Sequence, residues 1–288
     1  MSPLAPGPRS RSLLGMLPTI RRDVLGFVRD TQRSYGDVAR YRLGPLMSHL
    51  VSHPDSLKYV LQDNVKNYSK NHISYAMVRW TVGNGILTSQ GDFWLRQRRL
   101  AQPAFHRQRL ALLADGMVRA TQELIDSWQP HIARGQYLEI GEEMMRLTLR
   151  IVADALFGTD LSAQTQQISR SFNELSAQTI DRFRTFRILP PVLPTADDRA
   201  FRQAQHTLTT VVRSIIAERR RNPVDRGDLL SMLMLAVDEE TGAQMSDDQL
   251  RDEVITMLLA GHETTATVLG WVWAMLDRHP AVADRLHE

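Results

Sequence analysis

Apolar positions change their period along the chain, and the change marks out its parts. Over residues 20–35, Ile20, Val24, Phe27 and Val28 recur at helical spacing and the run ends at Gly36, which predicts a helix. Val38 to Leu43 alternates as a strand, Gly44-Pro45 supplies a turn, and Met47 to Val51 returns, which predicts a β-hairpin. Behind Ser52-His53-Pro54 a short helix through Leu57, Val60 and Leu61 fits. Gly83-Asn84-Gly85 then opens a loop that continues through Ile86, Leu87 and Thr88. From Asp92 onward the helical period takes over, in segments 92–100, 107–132, 141–157, 164–184, 197–220 and 229–237. Pro190-Pro191, Pro194 and the stretch from Asn222-Pro223 to Gly227 interrupt it. The expected fold class is mainly α with a small N-terminal β hairpin. One domain over 1–288 is expected, with an irregular segment 1–19, a mixed α/β part 20–91 and a helical part 92–288.

The last long helix, 246–278, is the most informative element. Ser246 is a good N-cap, and Asp247 and Asp248 meet the positive end of the helix dipole. From Val254 to Leu276 the helix is apolar nearly all round, over roughly 35 Å at ~1.5 Å per residue. Such a helix is buried in a large domain or crosses a membrane. His262, Glu263 and three threonines sit in its middle, and a mid-bilayer acid costs roughly 2.5–3.5 kcal/mol. A buried central helix is therefore the expected reading.

Within it, Ala260-Gly261-His262-Glu263-Thr264-Thr265 breaks the local rules. A mid-helix glycine costs about 1 kcal/mol relative to alanine. A buried carboxylate costs more unless paired or hydrated, and Thr264 can return its hydroxyl to the Ala260 carbonyl. These residues make either a hydrated notch facing a ligand or a packing notch whose Glu263 reaches an arginine elsewhere. A zinc-protease reading closes at once, because HExxH needs a second histidine and position 266 is alanine.

A second constellation lies upstream, in Gly91-Asp92-Phe93-Trp94-Leu95-Arg96-Gln97-Arg98-Arg99. Trp94 and Arg98 are four apart and share a helix face. An indole donor beside a guanidinium suits a carboxylate or phosphate, although such a pair also serves as a surface packing contact. Composition narrows the field. The 288 residues carry a net charge of only +3, with 32 acidic residues spread among the basic ones, so a nucleic-acid partner is not expected. Cysteine is absent, which removes disulfides, zinc-thiolate clusters and any thiolate ligand to iron from these residues. Leu13 to Ile20 is broken by Gly15 and Pro18, too short for a secretory core or a membrane anchor, so a cytoplasmic protein is expected.

Taken together, the two constellations resemble the cytochrome P-450 family of haem-thiolate monooxygenases. The resemblance rests on Ala260-Gly261-His262-Glu263-Thr264 and on Trp94 with Arg98. Gly83 to Thr88, Pro103-Ala104-Phe105, the Leu189 to Thr195 loop, Asp228 to Ser231 and His279-Pro280 fit it in the family's order. It implies haem as cofactor, with Trp94 and Arg98 on a propionate and Lys70 assisting. It implies Ala260 and Gly261 beside the oxygen site, Gly261 leaving room for dioxygen. It implies Thr264 and Glu263 as the hydroxyl and acid that deliver protons, and Leu87 facing an apolar small-molecule substrate. The helices flanking residues 190–194 would roof the entrance. An electron-transfer redox partner follows from the same resemblance. His262, beside the notch, is not expected to ligate iron, and Glu143-x-x-Arg146 and Glu218-x-x-Arg221 match a later family motif only by chance. The cysteine-bearing segment is missing, so the chain is expected to be the N-terminal portion of such an enzyme and inactive alone. The alternatives are a non-catalytic helical fragment acting through protein–protein contacts and a single-span membrane protein.

Overall fold

The computed structural model describes residues 4–158, 162–185 and 195–288. The chain divides into two compact units, residues 1–70 and 71–288.

In the first unit, α1 (Leu17–Arg22) and α2 (Val24–Tyr35) replace the single helix expected over 20–35. The break is Asp23, which is extended (φ −156°, ψ 93°) and accepts the Gly26 N–H at 2.9 Å. Aspartate competes with the helix through its own side chain, so it caps α2 instead of continuing α1. β1 (Val38–Leu43) and β2 (Leu46–Val51) form the expected antiparallel hairpin, with Val38 opposite Val51 and Leu43 opposite Leu46. Gly44 makes the turn at φ +56°, where a glycine has no Cβ penalty. α3 (Pro54–Lys58) runs into a π turn at Tyr59–Asp63 and a 3-10 turn at Val65–Asn67.

The second unit opens with α4 (Ile73–Val82), which the apolar pattern did not predict. Its buried residues are Met77, Thr81 and Val82, and the threonine interrupts the apolar stripe. α5 (Gly91–Ala101), α6 (Arg107–Ala133), α7 (Ile140–Phe157), α8 (Ser162–Thr185) and α9 (Ala196–Arg221) follow as expected, within a few residues at the ends. The proline interruption at 190–194 lies outside the described residues, while the flanking helices expected to form the roof are α8 and α9. α10 (Leu229–Leu235) stops two residues short of the expected Val237, because Ala236 turns extended. α11 (Asp247–Arg278) is the central helix, and its Ser246–Gln249 capping box confirms the sequence's start signal. Pro280 opens α12 (Pro280–His287), a position where its missing N–H costs nothing.

The main core gathers Leu149, Leu156 and Phe157 of α7, Phe201, Leu208 and Val212 of α9, and Leu230 and Leu233 of α10. Against them lie Leu250, Val254 and Leu258 of α11. Arg219 reaches into it, and its charge is fully engaged by the Phe157 carbonyl (2.6 Å), Asp228 (2.8 Å) and Ser231 (2.9 Å). A smaller cluster joins Ala120 and Leu124 of α6, Met144 and Leu147 of α7, and Ala266 of α11. Cover on α11 runs out beyond that point: Val268 is 60% exposed and Trp271 66%. A helix expected to be covered on every side is thus covered only over its first half by the described residues. Among these residues no helix is long and apolar enough to cross a membrane.

Candidate functional site

The site is built where α11 crosses α7. Thr148 shares its hydroxyl between the Met144 carbonyl in its own helix (2.9 Å) and the His262 carbonyl across the contact (3.1 Å). His262 Nε2 lies 3.1 Å from the Met145 carbonyl, and its ring meets Phe172 edge-on at 5.1 Å. Burial pushes the His262 pKa down, which favours the neutral imidazole. These partners place the His262 side chain in the contact between α7 and α11.

Gly261 shares that contact face. A Cβ placed on it would come within 2.9 Å of Val152 Cγ2, so the missing side chain lets α7 approach. The room expected at Gly261 for a ligand is therefore occupied by Val152. The open face of the motif belongs to Ala260, Thr264 and Thr265, all exposed. The Thr264 hydroxyl donates to the Ala260 carbonyl at 2.6 Å, the back-bond expected from the sequence. Half-buried Glu263 lies between the two faces. It lines an open groove of about 1010 Å³ with Glu123, Ser127, Arg146, Arg150 and Ser176.

On α5, the Arg98 guanidinium lies 5.3 Å from the centre of the Trp94 ring, while Arg96 turns to Phe93 at 5.6 Å. Helical spacing thus separates the two arginines as expected, and Arg99 leaves the cluster for Asp238 (3.0 Å) and Glu240 (2.9 Å). Arg98 is exposed beside Trp94. Lys70 belongs to the first unit, where burial lowers its pKa. Glu143 and Arg146 form an ion pair within α7, and the Trp128 indole also donates to Glu143 at 2.6 Å.

Leu87 is exposed on the loop that follows α4. That loop is fastened to α11 by two residues the sequence reading passed over. Asp252 accepts the Asn84 N–H at 2.7 Å and Glu253 accepts the Ile86 N–H at 3.1 Å. Burial raises both carboxyl pKa values, that of Glu253 to about 7. Two adjacent acids between Leu250 and Val254, at the buried start of an apolar helix, were the available signal. No group of three or more metal-ligating side chains occurs among the described residues.

Known proteins match this chain over most of its length. The profile of the cytochrome P450 family matches residues 5–288. The chain belongs to the cytochrome P-450 family. Cyclooctat-9-en-7-ol 5-monooxygenase of Streptomyces melanosporofaciens is 34% identical over 285 residues, covering 97% of this chain and 60% of that protein. Cyclooctatin synthase of the same organism is 36% identical over 260 residues, covering 88% and 55%. Pentalenene oxygenase of Streptomyces avermitilis is 31% identical over 259 residues, covering 88% and 56%. A crystal structure of a cytochrome P-450 heme domain superposes with a TM-score of 0.82 at 25% identity, covering 98% of this chain and 62% of that one. A retinoic acid bound cyanobacterial relative, at 20% identity and TM-score 0.80, shares the fold. The chain thus spans a little over half the length of the curated relatives it matches and is a partial cytochrome P-450 fold.

The cofactor implied by the family is haem, and two features of this chain suit it. The exposed Ala260–Thr264 face is small and hydroxyl-bearing on a helix otherwise packed with large apolar groups, and Trp94 and Arg98 offer a donor and a cation on one face. No residue of the 288 is a cysteine, so none of them is the thiolate ligand.

Proposed function

We propose that this chain is the oxygen-activating, distal portion of a haem-dependent monooxygenase that inserts one atom of dioxygen into an apolar organic molecule. The observation that carries the reading is the open Ala260–Thr264 face, with the Thr264 hydroxyl held by the Ala260 carbonyl and Glu263 beside it on a solvent groove. Bound haem supplies the redox centre, fed by an electron-transfer partner. The chain's own residues do the rest. Trp94 and Arg98 hold a propionate, and Ala260 keeps the face beside Thr264 free of bulk. Glu263 takes protons from the groove, and the Thr264 hydroxyl passes one on toward the reacting oxygen, general acid delivery by a side chain and water. With its proton on the Ala260 carbonyl, Thr264 Oγ1 has lone pairs to accept a proton from the Glu263 side, and its own proton is delivered once the hydroxyl turns from that carbonyl toward the oxygen.

Leu87 contacts the substrate. The names of the Streptomyces relatives make terpenoid hydrocarbons the first compounds to test. A cytoplasmic setting belongs to the same proposal, and the missing thiolate makes the 288 residues inactive alone. With the remaining C-terminal part of the fold restored, Thr264→Ala should retain haem but release more peroxide per product formed. An unchanged peroxide-to-product ratio would remove the role given to Thr264.

A second reading, a non-catalytic protein acting through an apolar surface, is favoured by one observation: the exposed run of Val268, Trp271, Val272, Trp273 and Met275 on α11.

A further inference from the structure

The loop from Gly83 to Ser89 is pinned to α11 more firmly than a connection needs. Its Asn84 and Ile86 N–H groups each donate to one of two consecutive helix acids, Asp252 (2.7 Å) and Glu253 (3.1 Å). The Thr88 hydroxyl closes the loop on the Gly83 carbonyl at 2.6 Å. Backbone and helix touch directly: a Cβ on Gly85 would lie 2.5 Å from Thr256 Oγ1, and one on Gly83, at φ +78°, would collide with the Asp252 carboxyl. Glu253 is wholly buried, and its Oε1 has no hydrogen-bond partner among the described residues. A leucine there would pack without that cost. The carboxyl is therefore explained by what it holds, the Ile86 amide.

The placement on the helix gives the contact its meaning. Glu253 and Thr264 are eleven residues apart, close to three full turns, so they lie on nearly one face about 16 Å apart. Ala260 lies on the same stripe. The loop covers the upper end of this stripe, and the lower end is the open Ala260–Thr264 face. Leu87, which is exposed, directly follows the anchored Ile86 in this loop.

We propose that Asp252 and Glu253 are positioning residues that clamp the 83–89 loop over the oxygen-activating stripe and so set the size of molecule that Leu87 admits. This rests on the monooxygenase reading. Neither acid touches substrate; each acts through a backbone amide of the loop.

Amide hydrogen exchange on the 288-residue chain tests the clamp without haem. In Glu253→Ala the Ile86 amide should exchange roughly tenfold faster, the loss expected for one hydrogen bond to a buried acceptor. Glu253→Gln should restore protection, because its side-chain carbonyl still accepts. Unchanged exchange in the alanine variant, or no rescue by glutamine, overturns the clamp. Should Glu253→Ala fail to fold, Gly85→Ala displaces the loop from Thr256 with both acids intact and should likewise speed exchange at Ile86; no change there overturns the clamp equally.

The selecting role is read on the haem-loaded protein carrying the rest of the fold, with imidazole and phenylimidazole as probes. Glu253→Ala should shift the phenylimidazole dissociation constant by about tenfold while leaving that of imidazole unchanged, since only the larger probe reaches the loop. Equal shifts for both probes, or none, overturn the selecting role. If the unvaried protein takes up no haem, the monooxygenase reading fails and the selecting role falls with it, while the exchange result still decides the clamp.

Discussion

The two halves of α11 both carry large apolar side chains, in opposite surroundings. From Leu250 to Leu258 the apolar side chains vanish among α7, α9 and α10, and even two carboxyl groups are engaged there. From Val268 to Met275 equally large side chains, two tryptophans among them, stand exposed. Helix formation is therefore not what separates the halves; packing partners are. The family comparison gives the contrast its sense, because matched structures continue well beyond the length of this chain. The first half of α11 is a finished core element, and the second presents a surface that the described residues leave open.

The contrast can be broken at its strong end first. Leu258→Ala removes a fully buried side chain from the main core and should cost about 2–5 kcal/mol, measured by urea unfolding. A loss below 1 kcal/mol would mean that the first half is loosely packed too.

Next comes the buried acid. The Glu253 carboxyl titrates at about 7 in the fold against 4.5 as its ordinary value. Its contribution to stability is fully present below pH 4.5, where folded and unfolded chains both hold the proton. Between pH 4.5 and about 7 the unfolded chain ionises first, so stability should fall by about 3 kcal/mol and then level off. Glu253→Gln cannot ionise and should lack that fall. Parallel pH profiles for the two proteins would contradict the burial of the carboxyl.

Gly261→Ala forces a Cβ against Val152 and should cost about 1–3 kcal/mol by overpacking. A neutral result would return the space at Gly261 to a ligand. The smallest effect is expected at the open end. Trp271→Ala should change the stability of the 288-residue chain by no more than about 0.5 kcal/mol, as at ordinary surface positions. With the remaining C-terminal part of the fold present the same substitution should cost several-fold more, which sharpens the contrast into a statement about what covers α11.

Much of this was legible in the sequence because it is written in local chemistry. The Ser246 cap, the Thr264 back-bond and the shared face of Trp94 and Arg98 depend on spacing along one helix, and spacing is what a sequence displays. What it hid was set by partners far along the chain. Gly261 reads as an opening until Val152, more than a hundred residues away, is seen to fill it. Asp252 and Glu253 look like the polar start of an apolar run until the loop amides beneath them are in place. Asp23 and the threonine of α4 failed for a smaller reason: a polar residue inside a helical period can be a break or a buried position, and only packing decides which.

In the function proposed above, these 288 residues supply the oxygen-activating part of a haem-thiolate enzyme and not its metal ligand. The reduced, carbon monoxide-bound absorption spectrum tests it most directly, recorded with haem on the chain alone and again with the C-terminal part of the fold supplied. The expected result is no thiolate-type long-wavelength band from the chain alone and its appearance once that part is present. Such a band from the 288 residues by themselves, or its absence in the completed protein, would contradict it.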